Sequence, residues 1–257
     1  MPFFHQGPDP DFPRLEETDF FPFPDPREWE DKVILIGGSE TVSFWRKSIG
    51  WEGNIIAIGG NLSPGMLLSA YEQGLFPWYN PDDPIFWQSP DPRFVIYPEK
   101  LHVSSSMRKI LKNRIFDVTF NKDFEGVIRG CSQVERPSQG GTWITDDIIE
   151  AYIELHRLGW AHSAEAWQDG ILAGGCYGVL MGRVFIGESM FAKKSNASKA
   201  AFLSLAEKLF ENGLAFVDCQ VPTGHLTSLG GEELPRKDYL ALLKENHVSR
   251  FQPLFSL

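Results

Sequence analysis

Apolar residues fall along this chain in two rhythms, short runs of strand length and longer stretches with an apolar position every three or four residues. Residues 27–58 contain two such runs, VILIGG and NIIAIGG, each closed by a glycine pair and read as two short strands. Their likeness fits either a hairpin or chance. Ser63 and Pro64 then open a helix as N-cap and first residue, Met66, Leu67, Ala70 and Tyr71 form its apolar face, and Gly74 ends it. A strand over 94–100, an amphipathic helix over Ser104–Arg114, a strand over 115–120 and a short helix over Phe124–Arg129 stopped by Gly130 follow. Thr145 caps a helix with Asp146 and Asp147 in its first turn, where the helix dipole favours acids, and Gly159 ends it. Three strands come next, Ala161–Trp167, Ile171–Val179 and Val184–Met190, joined by Asp-Gly and Met-Gly turns. A helix over 197–212, a strand over Ala215–Val221 and a helix from PRKDYL to about Asn246 complete the pattern. That order predicts an α/β or α+β sheet, largely antiparallel, with at least one crossover.

Three segments break these rhythms. Residues 1–26 are rich in Pro, Phe and acids, which excludes helix and predicts an irregular segment laying its aromatics on the body of the protein. The proline-punctuated loop GLFPWYNPDDPIFWQSPDPR carries Phe76, Trp78, Tyr79, Phe86 and Trp87, as a staple between domains or a ligand platform. The GG-x-x-G at Gly174–Gly178 lies inside a strand pattern, so close backbone approach explains it better than a nucleotide loop.

Two strands carry chemistry. Val184–Met190 holds Glu188 among apolar residues, and VDCQV at Val217–Val221 holds Asp218 and Gln220. Alternation puts Asp218 and Gln220 on one face. A carboxylate and an amide on an apolar strand are costly unless paired or used, so a buried polar network and a site both fit. Alternation also sets Glu188 opposite Phe185, and both line one pocket only if a bulge lies near Gly187.

Composition narrows the rest. The 257 residues make one large domain or two small ones. No run reaches the ~20 apolar residues that span a bilayer, and no signal pattern opens the chain. The 3 cysteines, Cys131, Cys176 and Cys219, form no CxxC, so a reducing cytoplasm is expected. The 6 histidines show no ligand spacing, so no metal site is expected. A net charge of −10 argues against broad nucleic-acid binding but suits a cationic partner. Its exception is the helix carrying Arg108, Lys109, Lys112 and Arg114, which is either a solvated face or a phosphate-backbone patch.

Four stretches, LSPGMLLSAYEQGLFPWYNPDDPIFWQSPDPR, GTWIT, GESMFAKKSNASKAAF and VDCQVPTGHLTSLGGEELPRKDYL, resemble bacterial leucyl/phenylalanyl-tRNA–protein transferases. The likeness runs from about Gly59 to Asn246, with the motifs in family order. It implies an α+β protein: a small N-terminal domain over 1–91, packed on a larger GNAT-like acyltransferase domain over 92–257 with a mixed, mostly antiparallel sheet. It implies transfer of Leu or Phe, less well Met, from Leu-tRNA and Phe-tRNA to proteins with N-terminal Arg or Lys, marking them for N-degron proteolysis. It implies no cofactor, metal or membrane, and a cytoplasmic monomer is expected. Carried over by motif, Asp218, Gln220 and Glu188 are catalytic. Phe185, Met190, Cys176, Phe202, Leu205, Leu209 and Val217 line the aminoacyl pocket, and Trp78 and Trp143 hold the terminal adenosine. Arg108, Lys109, Lys112 and Arg114 meet the acceptor stem. The chain departs from the family pattern in its divergent segment 1–58 and in the pocket shape at Cys176, Leu205 and Leu209. Two rival readings are a coenzyme-A acetyltransferase, whose Q/R-x-x-G-x-G/A turn is missing, and a binding module without catalysis.

Overall fold

A computed structural model describes residues 7–27, 32–37, 40–45, 54–134 and 142–246. It divides into two units interleaved along the chain. The first draws on Met1–Arg93, Pro137–Ala151 and Leu234–Glu245, the second on Phe94–Arg136, Tyr152–Glu233 and Asn246–Leu257.

The first unit is built on β1 (Lys32–Gly37), β2 (Glu40–Trp45), β3 (Ile55–Gly59), α1 (Pro64–Glu72), β4 (Phe76–Pro77) and β5 (Phe86–Gln88). Its sheet has the order β2-β1-β3-β5-β4. The similar runs VILIGG and NIIAIGG are β1 and β3, but they pair in parallel, Ile34 against Ala57. The hairpin forms instead between β1 and β2. Residues 46–53, which hold most of the WRKSIGW stretch, lie outside the described residues.

Helix α1 is buried from Pro64 to Tyr71, and its polar side chains serve the N-terminal segment. Ser63 Oγ accepts from Leu15 N (3.1 Å), Ser69 Oγ from Phe21 N (2.8 Å) and Gln73 Oε1 from Phe23 N (2.9 Å). Ser63 therefore precedes the helix as expected, yet its hydroxyl caps no helical N–H. Of the segment's described rings, Phe23 is buried 5.0 Å from Trp87, Phe12 and Phe21 are half-buried, and Phe20 is exposed, so only part of the expected aromatic covering is present. Arg93 is buried between the rings of Phe76 and Tyr239, 4.9 and 4.5 Å from their centroids, and donates to Gly74 O. Desolvating a guanidinium is costly, and aromatic faces with a carbonyl partly replace its water.

The second unit's sheet begins at β6 (Arg93–Ile96), followed by α2 (Ser105–Lys112), β7 (Asp117–Phe120), α3 (Phe124–Ser132) and α4 (Asp146–Arg157). Then come β8 (Ala161–Gln168), β9 (Ile171–Met181), β10 (Val184–Ala192), α5 (Ala197–Glu211), β11 (Phe216–Gln220), α6 (Gly224–Ser228) and β12 (Glu232–Leu234). Helix α7 (Arg236–Asn246), which belongs to the first unit up to Glu245, closes the described chain. The order β12-β6-β11-β10-β9-β8-β7 makes a mixed sheet in an α+β fold. From β10 through β9 and β8 to β7 the pairing is antiparallel, as it is between β11 and β6. Strands β10 and β11 run parallel, and α5 connects them as the predicted crossover. Asp169 and Gly170 both have positive φ (53° and 75°), the type I′ geometry that an Asp-Gly hairpin requires.

Helix α5 packs on one face of this sheet and α3 on the other. Gly174 meets α5 directly, since a Cβ there would lie 2.7 Å from that of Ala197. The glycine-rich stretch thus works through close approach. The expected stop of α3 at Gly130 is corrected, because the helix continues to Ser132. Gly130 makes room for Phe191, whose ring would lie 2.6 Å from an added Cβ. Among the described residues no helix is long and apolar enough to cross a membrane.

Gly130 separates two effects of opposite sign. Helix propensity alone has Gly130→Ala stabilise by about 1 kcal/mol. Overpacking against Phe191 costs about 1–3 kcal/mol, so the net expectation is a lower urea midpoint at unchanged slope. A raised midpoint overturns this packing account.

Candidate active site

The site forms where two parallel strands stop pairing. β10 and β11 are in register at Val184 with Phe216, Phe185 with Val217 and Ile186 with Asp218. Just beyond, β10 shifts register against β9 between Gly187 and Ser189, leaving Glu188 as the extra residue. β11 shifts against β6 between Asp218 and Gln220, leaving Cys219 extra. An extra residue bends its strand and interrupts the ladder. Two such bends in adjacent strands open the sheet at their C-terminal ends.

The bulge expected near Gly187 is present, and it sorts side chains between faces. Phe185 pairs with Leu180 and Met190 with Cys176, both even positions of β9. Phe185 and Met190 therefore share the α5 face, which regular pleating would have denied them. Cys176, Phe185, Phe202, Leu205, Leu209 and Val217 belong to one buried apolar cluster there, with Met190 packed against it half-buried. Burial pushes the Cys176 thiol up, so it remains a neutral S–H. Glu188 stands half-buried at the bulge.

The same register corrects the face assigned to Gln220. Val217 pairs with Ile96, Asp218 with Val95 and Gln220 with Phe94. Ile96 and Phe94 both enter the α5-face cluster, so Gln220 lies on the face of Val217 and Asp218 on the opposite one. Alternation failed because Cys219 is a bulge residue. The pair is joined through the backbone instead. Asp218 is fully buried, and its Oδ1 accepts the Gln220 N–H at 3.0 Å. Gln220 has φ +59°, a left-handed conformation costly outside glycine, and this bond helps hold it.

The Gln220 side chain is 8% exposed, and its Nε2 has no hydrogen-bond partner among the described residues. A buried donor left open costs about 1–3 kcal/mol, a cost a folded protein rarely carries without use. His225 Nε2, on α6 just after β11, is a second such atom. Sequence reasoning gave His225 no role. Its presence five positions after Gln220, inside the same motif, was the available signal.

Other candidates lie elsewhere. Leu209 follows Ala197 by about 18 Å along α5, at 1.5 Å per residue, and accepts from Leu214 N ahead of β11. It is therefore at the far end of the cluster from Glu188 and Gln220. Trp78 is half-exposed and stacks on Phe76, while Trp143 is buried; both belong to the first unit. Arg108, Lys109, Lys112 and Arg114 are exposed in the second unit, and none is ion-paired among the described residues. Arg114 borders a groove of about 420 Å³ whose walls also carry Asp117 and Glu207, so the positive face ends there. Among the described residues no cluster of His, Cys, Asp or Glu is arranged to hold a metal.

The sequence profile of the leucyl/phenylalanyl-tRNA protein transferase family matches residues 95–244, and that of its N-terminal domain matches residues 60–91. A leucyl/phenylalanyl-tRNA–protein transferase of Flavobacterium johnsoniae is 51% identical over 75% of this chain and 91% of its own length. One from Myxococcus xanthus is 52% identical over 74% and 81%. Among solved structures, L-PGS from Bacillus licheniformis overlaps 70% of this chain and 56% of its own, at 11% identity and a TM-score of 0.35. That likeness is too slight to bear on fold or function.

The bond from Asp218 to the Gln220 backbone is separable from the carboxylate's charge. Asp218→Asn keeps an acceptor oxygen, and its unfolding free energy is expected within about 1 kcal/mol of the parent. Asp218→Ala orphans a buried N–H beside a left-handed residue and is expected to cost about 1–3 kcal/mol more. Equal stability of the two variants in urea refutes the holding role.

Proposed function

The chain belongs to the leucyl/phenylalanyl-tRNA–protein transferase family, and from that premise we propose its acceptor rule and the roles of its residues. It is a transferase enzyme acting with aminoacyl-tRNA and protein substrates. On this proposal it moves Leu or Phe, and less well Met, to the α-amino group of proteins beginning with Arg or Lys. The product is marked for N-degron proteolysis. The enzyme works as a cytoplasmic monomer, with a family-specific domain over 1–91 and a GNAT-like catalytic domain over 92–257. The observation that carries the reading is the orphaned amide of Gln220, buried on an apolar face where the sheet parts.

The chemistry follows from the substrates. An aminoacyl ester is already activated, so the protein has to align ester and amine and stabilise a tetrahedral oxyanion. Alignment is worth roughly 7–11 kcal/mol. Gln220 Nε2, already desolvated, donates to the carbonyl oxygen as charge develops there, and one such donor contributes about 2.7–4 kcal/mol. Asp218 holds Gln220 in place through the backbone bond. Glu188, at the bulge, receives the positive charge of the acceptor's N-terminal residue. No side chain is required as a covalent nucleophile.

The α5 face selects the transferred side chain. Phe185, Met190, Cys176, Phe202, Leu205, Leu209 and Val217 are apolar or neutral, so charged side chains are rejected by desolvation. Among apolar ones discrimination is modest, about 1–3 kcal/mol per methylene. Half-exposed Met190 is the pocket residue nearest the bulge and free to adapt. Trp78 and Trp143 hold the terminal adenosine, where stacking is worth about 1–3 kcal/mol per base. The cations of α2 meet the acceptor-stem phosphates.

Purified protein mixed with radiolabelled Leu-tRNA is expected to label a peptide beginning with Arg and not one beginning with Ala. Label on neither peptide, with the protein folded, overturns the reaction. Label on both overturns the acceptor rule.

Replacing Arg108, Lys109, Lys112 and Arg114 by Gln is expected to weaken tRNA binding. The slope of log K against log salt should fall by about 0.7–0.9 for each phosphate no longer neutralised. A slope identical to the parent's removes α2 from the tRNA interface.

A further inference from the structure

Among the described residues of the second unit three histidines are buried wholly or in part, and two are accounted for. His156 Nδ1 lies 2.8 Å from Ala161 O, and its ring stacks on Phe124. His162 Nδ1 lies 3.1 Å from Asn121 Nδ2. His225 differs, because its Nε2 is buried and has no partner among the described residues. Its position is firmly set. Thr223 caps α6, its Oγ1 accepting Leu226 N at 3.2 Å. Leu226 and Leu229 anchor α6 in the α5-face cluster that contains Phe94, the register partner of Gln220. A Cβ at Gly231 would meet both the Phe94 ring (2.2 Å) and Leu226 O (3.1 Å), so this turn lies against Phe94. Two orphaned nitrogens, Gln220 Nε2 and His225 Nε2, therefore stand on consecutive elements joined by a three-residue link, and α6 packs on the cluster that holds the register partner of Gln220.

We infer that His225 is a catalytic residue of the transfer reaction, the group that takes the proton from the attacking amine and returns it to the leaving ribose oxygen. The inference rests on the transfer reaction proposed above. The neutral amine attacks the ester carbonyl carbon, a C–N bond forms and the π pair moves to oxygen beside Gln220 Nε2. His225 Nε2 removes a proton from the nitrogen, now positive. The oxyanion then reforms the carbonyl, the ester C–O bond breaks, and the ribose oxygen departs with the proton from His225. The products are an amide and a free hydroxyl, with the imidazole again neutral. Asp218 is a poorer acceptor, since the register puts it on the opposite face with its Oδ1 engaged by Gln220 N.

The environment keeps the ring in the form this step needs. Burial, and then the charge of Lys199 on the first turn of α5, hold the His225 pKa below its ordinary 6.5. The other ionisable groups on elements next to α6 include Asp218 and Cys219 on β11, Lys100 and His102 ahead of α2, and Glu232 and Glu233 on β12. A depressed pKa means the imidazole is neutral at pH 7 and gains a proton only as pH falls below about 6.5.

The test uses the full chain with Leu-tRNA and an Arg-initiated peptide, reading kcat/KM from about pH 5 to 8. In the parent the acceptor amine alone gives a slope of about one in log kcat/KM against pH, steepening to about two once His225 protonates. His225→Gln is expected to lower kcat by about 10²–10⁴-fold and to keep the slope near one throughout. Its tRNA affinity and thermal midpoint should match the parent's. His225→Ala, which opens a cavity, should recover at least tenfold with added imidazole. If His225→Gln keeps kcat within threefold, the inference fails. It also fails if activity is lost while the steep acid limb persists, or if folded His225→Ala shows no imidazole recovery. Should His225→Gln not fold, the His225→Ala recovery and pH slope decide alone; if neither variant folds, His225 is structural and the inference is overturned. A parent that labels no peptide counts against the proposed reaction and is thereby told apart.

Discussion

The chemistry proposed for this protein depends on where β10 and β11 cease to be one sheet. Parallel neighbours normally satisfy each other's backbone along their length, and leaving that pairing exposes N–H and C=O groups that need other partners. Here both strands leave within two residues of the pair Ile186 and Asp218. β10 still finds β9 on its other side, and β11 turns a side chain on its own backbone, Asp218 Oδ1 to Gln220 N. That local bond substitutes for a ladder bond. It also lets a bulky residue occupy φ +59° at the edge of the opening. The strain and the opened sheet are two aspects of one arrangement, and they coincide with the orphaned amide of Gln220.

Much of the frame was legible in the chain, and the failures have common physical causes. Periodicity located strands over Ala161–Trp167, Ile171–Val179 and Val184–Met190 and a helix over 197–212, observed as Ala161–Gln168, Ile171–Met181, Val184–Ala192 and Ala197–Glu211, because each buries one face and leaves the other different. The bulge in β10 was legible as a conflict, since Phe185 and Glu188 lie on opposite faces of a regular strand and a glycine sits between them. The bulge in β11 had no such marker. Cys219 and Gln220 are ordinary strand residues, and the left-handed φ of Gln220 is sustained by a tertiary arrangement that alternation cannot see. Gly130 misled for the opposite reason, because its glycine serves a neighbouring ring, Phe191, instead of ending its own helix.

The α5 face was read as a pocket from family motifs, and the packing refines what that word means. Six of its seven candidates are buried within a continuous core, and only Met190 is open to change. A wall of this kind is stiff, since interiors at crystal-like density transmit a one-methylene change to their neighbours. Leu209, about three turns beyond the first turn of α5, belongs to that packing at the end away from the bulge. Residues at the bulge end and at the far end of one apolar cluster are therefore different in kind, although sequence motifs group them together.

Charge is unevenly distributed over the chain, in a way that suits the two substrates proposed for it. The whole chain carries −10, which repels polyanions at distances beyond the Debye length of about 8 Å only weakly and favours cationic acceptors near the surface. The four cations around α2 are unpaired among the described residues, so a phosphate backbone would find them without first breaking ion pairs. Asp117 and Glu207 at the groove beside Arg114 set a boundary to that patch. Partial desolvation raises the Glu207 pKa, and the charge of Glu211 acts in the same direction. On the proposed role of α2, a small positive patch with a defined edge on an acidic protein favours contact at one register over sliding along the nucleic acid, which is the condition a single reacting ester imposes.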